Sequence, residues 1–420
     1  MSDIEIKTKP TPGYRYKVVR GDRLDDIETT AYGSIKGLIE GANPQIIKNV
    51  TSLENRPTIY SGNILFIPEL PEIKELSQKI TLSKKEDNEL TIVIGNREIV
   101  TNNARIIKTI DTAAHGWTAN VSWVPGQDAD FDKLLKPFSY PHSKAYIGNE
   151  LLISGALYGV SPSFSKDGGN VDLEGYSYAA DIIDSVCTAP YEVSKSTLQQ
   201  RANQLLANTG IRAIFNNEAG GAFDRITADR NDKIFDHLLS LAAQRGLLIT
   251  SSNDGNIVFM KADTTSPPVG TIEDKNGLMG ISAKFDGRSM YNSITVYGES
   301  PGNPVKTSTI TDSSIPKSRF FAFSSDDSTD GDIENAAKWK RAQIYADALT
   351  FTLPVIGWYA PNGKLWKENT NVVVVSPYIF AEKGFTFLIK QVEFVLENSG
   401  RTAILSLIPP LGEDIILPWS

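Results

Sequence analysis

Four times along the chain, a run of alternating apolar residues stops at a short Gly, Asn or Asp signal and then resumes. It happens in NELTIVIGNREIV at Gly95-Asn96 and in AYIGNELLISGALYGVSPSF at Gly148-Asn149. It recurs in LLITSSNDGNIVFMKA at Asp254-Gly255 and in FTFLIKQVEFVLENSGRTAILSLIPP at Asn398 to Gly400. Period-two alternation puts every second side chain on one face of a strand, and tight hairpin turns need residues that tolerate positive φ. In the last of these hairpins, Phe385, Phe387 and Ile389 alternate on one strand, and Ala403, Leu405 and Leu407 on the other. The chain is therefore committed to antiparallel sheet over much of its length.

At 420 residues it exceeds what one core usually serves, so several domains are expected. Residues 82–180 read as a first strand-rich domain and residues 276–420, opening near SITVYGES, as a second. Between them, residues 181–275 change period. In SKSTLQQRANQLLANTG, Ser196 and Gln199 have capping-box spacing, Leu198, Ala202, Leu205 and Leu206 form a stripe, and Gly210 is the stop. NDKIFDHLLSLAAQRG repeats the device with Ile234, Phe235, Leu238, Leu239 and Ala242 before Gly246. A further helix is expected in IENAAKWKRAQIYADALT. The fold class is α+β, mainly antiparallel β, with two sheet domains flanking a mixed insertion.

Near the start, YRYKVVRGDRLDDIETTAYG turns from strand to helix across Gly21-Asp22. Tyr16 and Val18 alternate, then Leu24, Ile27 and Ala31 share a helical face, with Asp22 as N-cap and Gly33 as stop. A second short helix over 35–41 closes at Asn43-Pro44, and GNILFIP returns as a strand. This βααβ order over 14–68, followed by a Pro-rich and charged linker at 69–81, resembles the LysM domain. It departs from that pattern in the longer segment QIIKNVTSLENRPTIYS. The resemblance implies a groove for N-acetylglucosamine chains, which maps here to Gly21, Asp22, Arg23 and Leu24 and to Asn43, Pro44, Gln45 and Ile46. The plainer reading is that Gly21, Asp22 and Leu24 only cap and pack the module.

Nothing else in the chain spells out chemistry. The net charge of −8 and the pI near 5.2 argue against a surface built to neutralise phosphates, so neither DNA nor an anionic membrane is an expected partner. The opening MSDIEIKTKP lacks the apolar core of a signal peptide, and the apolar run NVVVVSPYIF is too short to span a bilayer, so a soluble protein is expected. The single Cys187, among apolar residues, reads as a buried inert thiol. Of the three histidines, His237 falls on a helix as a polar-face or satisfied residue, while His115 and His142 have no partner nearby in sequence. The acidic run Asp326, Asp327, Asp330 and Asp332 fails a calcium-loop count, because Ala337 stands where the bidentate Glu belongs. It reads as a loop with Asp332 capping the next helix. No P-loop, nucleophile elbow or dinucleotide fingerprint is present, so no catalytic residue, metal or cofactor is expected.

Read in order, several phrases resemble the hub protein of Mu-like contractile-tail phage baseplates. They are the run from Lys136 to Ser185, TLQQRANQLLANTGI, FDHLLSLAAQRGLLITSSNDGNIVFMKA, MYNSITVYGES and FLIKQVEFVLENSGRTAILSLIPP. The resemblance implies a homotrimer whose two tail-tube-like β-barrel domains per chain present six similar sheets to a sixfold tube above a threefold spike. Implied partners are the tail tube or tube-initiator protein, the central spike, other baseplate proteins and the tape measure. The implied location is the virion tail, after synthesis in the host cytoplasm. The LysM-like module then either binds peptidoglycan or docks onto a baseplate partner. Two other readings stay open: a LysM-targeted peptidoglycan-binding or hydrolysing protein, and the hub of a tailocin or type VI-like injection particle.

Overall fold

A computed structural model of the chain describes residues 6–7, 9, 15–19, 27, 64–67, 89–166, 168–273, 278–298, 305–325, 330–411 and 417–418. The chain divides into two compact units, one of Met1–Thr81 with Gln199–Arg212 and one of Leu82–Leu198 with Ala213–Ser420.

In the first unit, Arg15–Lys17 pairs in parallel with Ile6–Lys7 and antiparallel with Ile64–Phe66, in the register Arg15↔Phe66, Tyr16↔Leu65, Lys17↔Ile64. Tyr16, Val18, Ile27, Leu65 and Ile67 are buried, as the alternation of the opening strand requires. The remainder of the expected two-helix segment, its caps Asp22 and Gly33, and the linker at 69–81 lie outside the described residues.

The second unit is built on one large sheet, whose described strands are numbered here in chain order. They are β1 (Leu90–Ile94), β2 (Arg97–Ile99), β3 (Ala104–Thr109), β4 (Gly116–Ser122), β5 (His142–Ile147), β6 (Glu150–Ser165) and β7 (Gly168–Ser177). From the later part of the chain come β8 (Thr271–Glu273), β9 (Ser282–Phe285), β10 (Leu349–Ile356), β11 (Asn371–Ser376), β12 (Ala381–Glu397) and β13 (Gly400–Ile408). The spatial order is β9-β10-β13-β12-β3-β4-β7-β6-β5-β1-β2, with β8 paired to β11 and β11 to β12. Apart from the parallel β8–β11 pair, the ladders are antiparallel.

The two strand-rich regions are thus joined in one hydrogen-bonded sheet, through β3 against β12 in the register Ala104↔Leu396 to Thr109↔Gln391. Leu388 of β12 is partnered both by Asn371 and by Ile408, so β11 and β3 share one edge of this long strand in succession. The hand-over falls at a bulge between Ile389 and Gln391. An extra residue flips the phase of everything after it. Phe387 and Ile389 are buried before the bulge, Val392 and Phe394 after it, and Lys390 is the residue displaced. One apolar core serves both regions, including Ile92, Ile106, Trp117 and Leu173 together with Phe351, Phe394 and Leu405. Burial of each such side chain contributes about 1.5–3 kcal/mol.

The hairpin turns stand where the alternation places them. Gly95, Gly148 and Gly255 have φ of +59°, +55° and +82°, and Glu397 pairs Gly400 across the last turn. Gly175 answers a different need: a Cβ there would lie 2.3 Å from the Trp117 ring, which crosses the β4–β7 pair at that point.

The middle region carries helix Leu198–Leu206, with Leu198, Ala202, Leu205 and Leu206 buried and Gly210 at positive φ. Its expected capping box does not form. The strand Glu192–Ser196 runs on through Ser196, which pairs with Phe223, so strand pairing claims the residue the cap would need. Helix Ile234–Ala243 buries Ile234, Phe235, Leu238 and Ala242 as expected, with Leu241 buried instead of the half-exposed Leu239. It ends in a left-handed Gly246, with Leu247 N–H donating to Ala242 O at 2.9 Å. His237 is buried on this helix rather than on a polar face, and it has a partner there. The Asp254-Gly255 hairpin joins Leu248–Ser251 to Ile257–Met260, which also pairs in parallel with Ala213–Phe215. A separate sheet of Lys306–Thr311, Ser293–Gly298 and Phe320–Ser325 packs Val296 against Ile333, Ala336 and Ala337 of helix Asp330–Ala348. That helix starts two residues before Asp332, so Asp332 lies in its first turn and is not its cap; Asp326 and Asp327 lie outside the described residues. Among the described residues no helix is long and apolar enough to cross a membrane.

Candidate functional site

The groove residues inferred from the sequence, Gly21, Asp22, Arg23, Leu24, Asn43, Pro44, Gln45 and Ile46, all lie outside the described residues. The described part of the molecule instead brings together a polar cluster that the sequence did not announce. In β3 the inward phase falls on Ala104, Ile106 and then Lys108, so the lysine is carried into the interior by strand geometry. Its Nζ donates to Asn253 Oδ1 at 2.7 Å, at the tip of the Leu248–Met260 hairpin. It also pairs with Glu368 Oε1 at 2.9 Å, in the segment that leads into β11. The two charged side chains are only 5% and 8% exposed. Burial pushes the Glu368 carboxyl up, but the attraction of Lys108, the largest of the opposing causes, helps hold it below the usual carboxylate range.

His115, fully buried between β3 and β4, extends the cluster. Its Nε2 lies 2.8 Å from Thr109 O and 3.0 Å from Thr250 Oγ1, while the Thr250 hydroxyl donates to the same carbonyl at 2.5 Å. A carbonyl oxygen only accepts, so Nε2 carries the hydrogen and Nδ1 is the bare nitrogen. That Nδ1 is buried without a partner. Burial, followed by the Lys108 charge, lowers the imidazole pKa to about 4, so the ring is neutral at pH 7. Neighbouring Asp111 binds Lys390, the bulge residue, at 2.7 Å. This cluster ties three distant segments, 108–115, 250–253 and 368, into one place. It is laid out as a lock: the Thr250 hydroxyl donates to the Thr109 carbonyl, and Lys108 bridges Asn253 and Glu368.

Beside the lock lies a cavity of about 580 Å3 whose wall includes Lys108, Asn253, Tyr359, Trp366 and Glu368. A second, apolar cavity of about 580 Å3 lies against β9, lined by Phe285, Met290, Leu349 and Phe380. The strands β9 and β2 end the sheet order, each with one neighbour among the described strands. On the β5–β6–β7 side, Tyr140, Tyr158 and Tyr176 meet edge-on at 5.6 and 6.0 Å between ring centres. The Tyr158 hydroxyl donates to Asp181, and burial followed by that carboxylate raises its pKa. Phe138 and Phe164 stand 84% and 87% exposed nearby in sequence. Exposed aromatic side chains and unpaired strand edges are the raw material of assembly contacts.

His142 is exposed, with Nδ1 2.5 Å from the Tyr178 hydroxyl, a partner 36 residues away that local reading missed. Cys187 is buried. No group of three or more His, Cys, Asp or Glu side chains that could hold a metal is found among the described residues. The one sequence signal for the lock was a lysine at the inward phase of an otherwise apolar strand.

Two family models match parts of the chain. Residues 179–261 match the second domain of the baseplate hub protein gp44-like family, and residues 329–415 match the fourth domain of Mu phage baseplate assembly protein GpP. Baseplate hub protein gp44 of Escherichia phage Mu is 24% identical over 327 residues, 73% of this chain and 84% of that protein. Among solved structures, the 43 kDa tail protein of prophage MuSo2 from Shewanella oneidensis superposes with a TM-score of 0.65 at 22% identity, covering 78% of this chain and 100% of that one. A tail protein from Neisseria meningitidis MC58 gives a TM-score of 0.66 at 18% identity, covering 76% and 95%. By sequence the chain is similar to the hub protein of phage Mu, and by fold to these tail proteins.

Proposed function

We infer that this chain is a structural hub of a phage tail baseplate. The observation that carries this is the sequence similarity to the Mu hub protein, which spans most of both chains, beside a fold shared with the MuSo2 prophage tail protein. The role is mechanical: one continuous sheet gathers strands from both ends of the second unit, and its outer surface offers strand edges and exposed aromatics to neighbours. Deleting the gene from a producing strain should leave heads without assembled tails, restored by complementation. Normal infectious tails in the deletion would contradict the reading.

Three finer statements belong to the same proposal. Residues 82–180 and 276–420 act as two tube-like domains around the mixed insertion 181–275, and three chains form a ring that meets a sixfold tube above and a threefold spike below. The support is symmetry: six quasi-equivalent patches from three subunits can cap a sixfold ring. Light scattering across a concentration series should give three times the 46.0 kDa chain mass; a strict monomer, alone and with its tube and spike partners, would count against it. The module at 14–68 is LysM-like, supported by the antiparallel pairing of its first and closing strands. It serves as a docking element onto a baseplate partner; retention on peptidoglycan would instead assign Gly21 to Leu24 and Asn43 to Ile46 as a glycan groove.

A further inference from the structure

We propose that the cavity beside the Lys108–Glu368 pair is a binding site for a small organic carboxylate. A carboxylate site here stands whether or not the chain is a hub. The cavity, about 580 Å3, falls in the size range of small-molecule sites, and it lies where three distant chain segments meet.

Its charge is unbalanced. Three lysines, Lys108, Lys364 and Lys367, face two glutamates, Glu150 and Glu368. Lys108 and Glu368 neutralise each other at 2.9 Å, which leaves the remaining wall one positive charge in excess. An ammonium has three donors, and Lys108 has two acceptors in place, Asn253 and Glu368.

The second observation is Trp366. It lines the cavity and is 4% exposed, yet its indole N–H is buried without a hydrogen-bond partner. Buried donors left unmade are costly and rare, so the orphaned N–H of this wall residue marks a place beside the cavity where an acceptor is missing. The rest of the wall mixes apolar and aromatic side chains, Leu152, Val269, Leu365 and the Tyr359 ring, with the polar Asn362 and Thr370. An anionic acceptor head and a flat or apolar body together describe an organic carboxylate. A bare phosphate would satisfy the charge and leave the apolar wall uncovered.

The test uses full-length protein labelled with 5-fluorotryptophan, with the Trp366 resonance assigned through Trp366→Phe and the protein titrated with benzoate, acetate or inorganic phosphate. Benzoate should shift the Trp366 resonance saturably, with a dissociation constant of about 1 mM or below. Acetate and phosphate should bind at least about tenfold more weakly. The double variant Lys364→Glu/Lys367→Glu changes only exposed side chains and should keep the wild-type melting temperature while weakening benzoate at least about tenfold. The absence of a saturable shift up to about 50 mM benzoate would overturn the proposal. So would a shift confined to other tryptophans, unchanged affinity in the charge-reversed variant, or phosphate binding as tightly as benzoate.

Discussion

Replacing Lys108 by Met removes one half of a pair whose two side chains are only 5% and 8% exposed, 2.9 Å apart. The Glu368 carboxylate is then left buried without its counter-ion, and Asn253 Oδ1 loses its donor. Breaking a buried pair from one side costs about 3–5 kcal/mol, because the remaining charge keeps its desolvation penalty. For a unit of roughly 300 residues, an unfolding entropy of about 2.1 cal/mol/K per residue converts this to a fall of about 5–8 °C in melting temperature. The pH dependence carries the mechanism. In the wild type the Glu368 carboxyl is held below its ordinary value, so its contribution is complete above the unfolded-state pKa and lost only as pH falls through the depressed folded value. In Lys108→Met the burial remains and the attraction is gone, so the carboxyl pKa rises and the group escapes its penalty by taking a proton. Calorimetric melts should therefore show the largest deficit relative to wild type near pH 8 and a smaller one near pH 5. The double variant Lys108→Met/Glu368→Leu should return to within about 1 kcal/mol of wild type, since an apolar pair replaces an ionic one at little net cost. A deficit below about 1 kcal/mol for Lys108→Met, or one that does not change between pH 8 and 5, would refute the reasoning.

Three further outcomes follow from the same geometry. His115 has a folded-state pKa of about 4 against an ordinary 6.5, so the unfolded chain binds the proton first and stability is lost as pH falls from 6.5 towards 4; the loss is about 3 kcal/mol, and stability-versus-pH curves of His115→Gln should lack that slope. Gly155→Ala should destabilise by about 3 kcal/mol or more in denaturant melts, because its Cβ would sit 1.7 Å from the Tyr176 carbonyl and force β6 from β7. Phe394→Ala, which empties a fully buried ring site after the β12 bulge, should cost about 3–5 kcal/mol by the same measurement.

The parts of this fold that could be read in the sequence are those set by local backbone demands. Gly95, Gly148 and Gly255 mark turns because positive φ is needed there, and the stripes of helices Leu198–Leu206 and Ile234–Ala243 follow from a 3.6-residue period. The phase change at Lys390 was also written in FTFLIKQVEF, where apolar residues move from odd to even positions. The pairing of β3 with β12 was not legible, because it joins residues nearly 290 apart and nothing local distinguishes one alternating strand as the neighbour of another. The lock is nearly as hidden, its one local mark being Lys108 at the inward phase of β3. Lys108, Thr250 and Glu368 sit in ordinary contexts, RIIKTI, LITSS and WKENT, and acquire their meaning only when the sheet closes around them. Ser196 shows the converse failure, a correct local cap signal overridden by strand pairing with Phe223.

The most direct test of the hub assignment is to locate the chain in the assembled particle. Gold-labelled antibody against the purified protein, applied to detergent-opened tails and viewed by negative-stain microscopy, should mark the distal baseplate end. Label along the tube, on heads, or absent from tails altogether would contradict a baseplate hub.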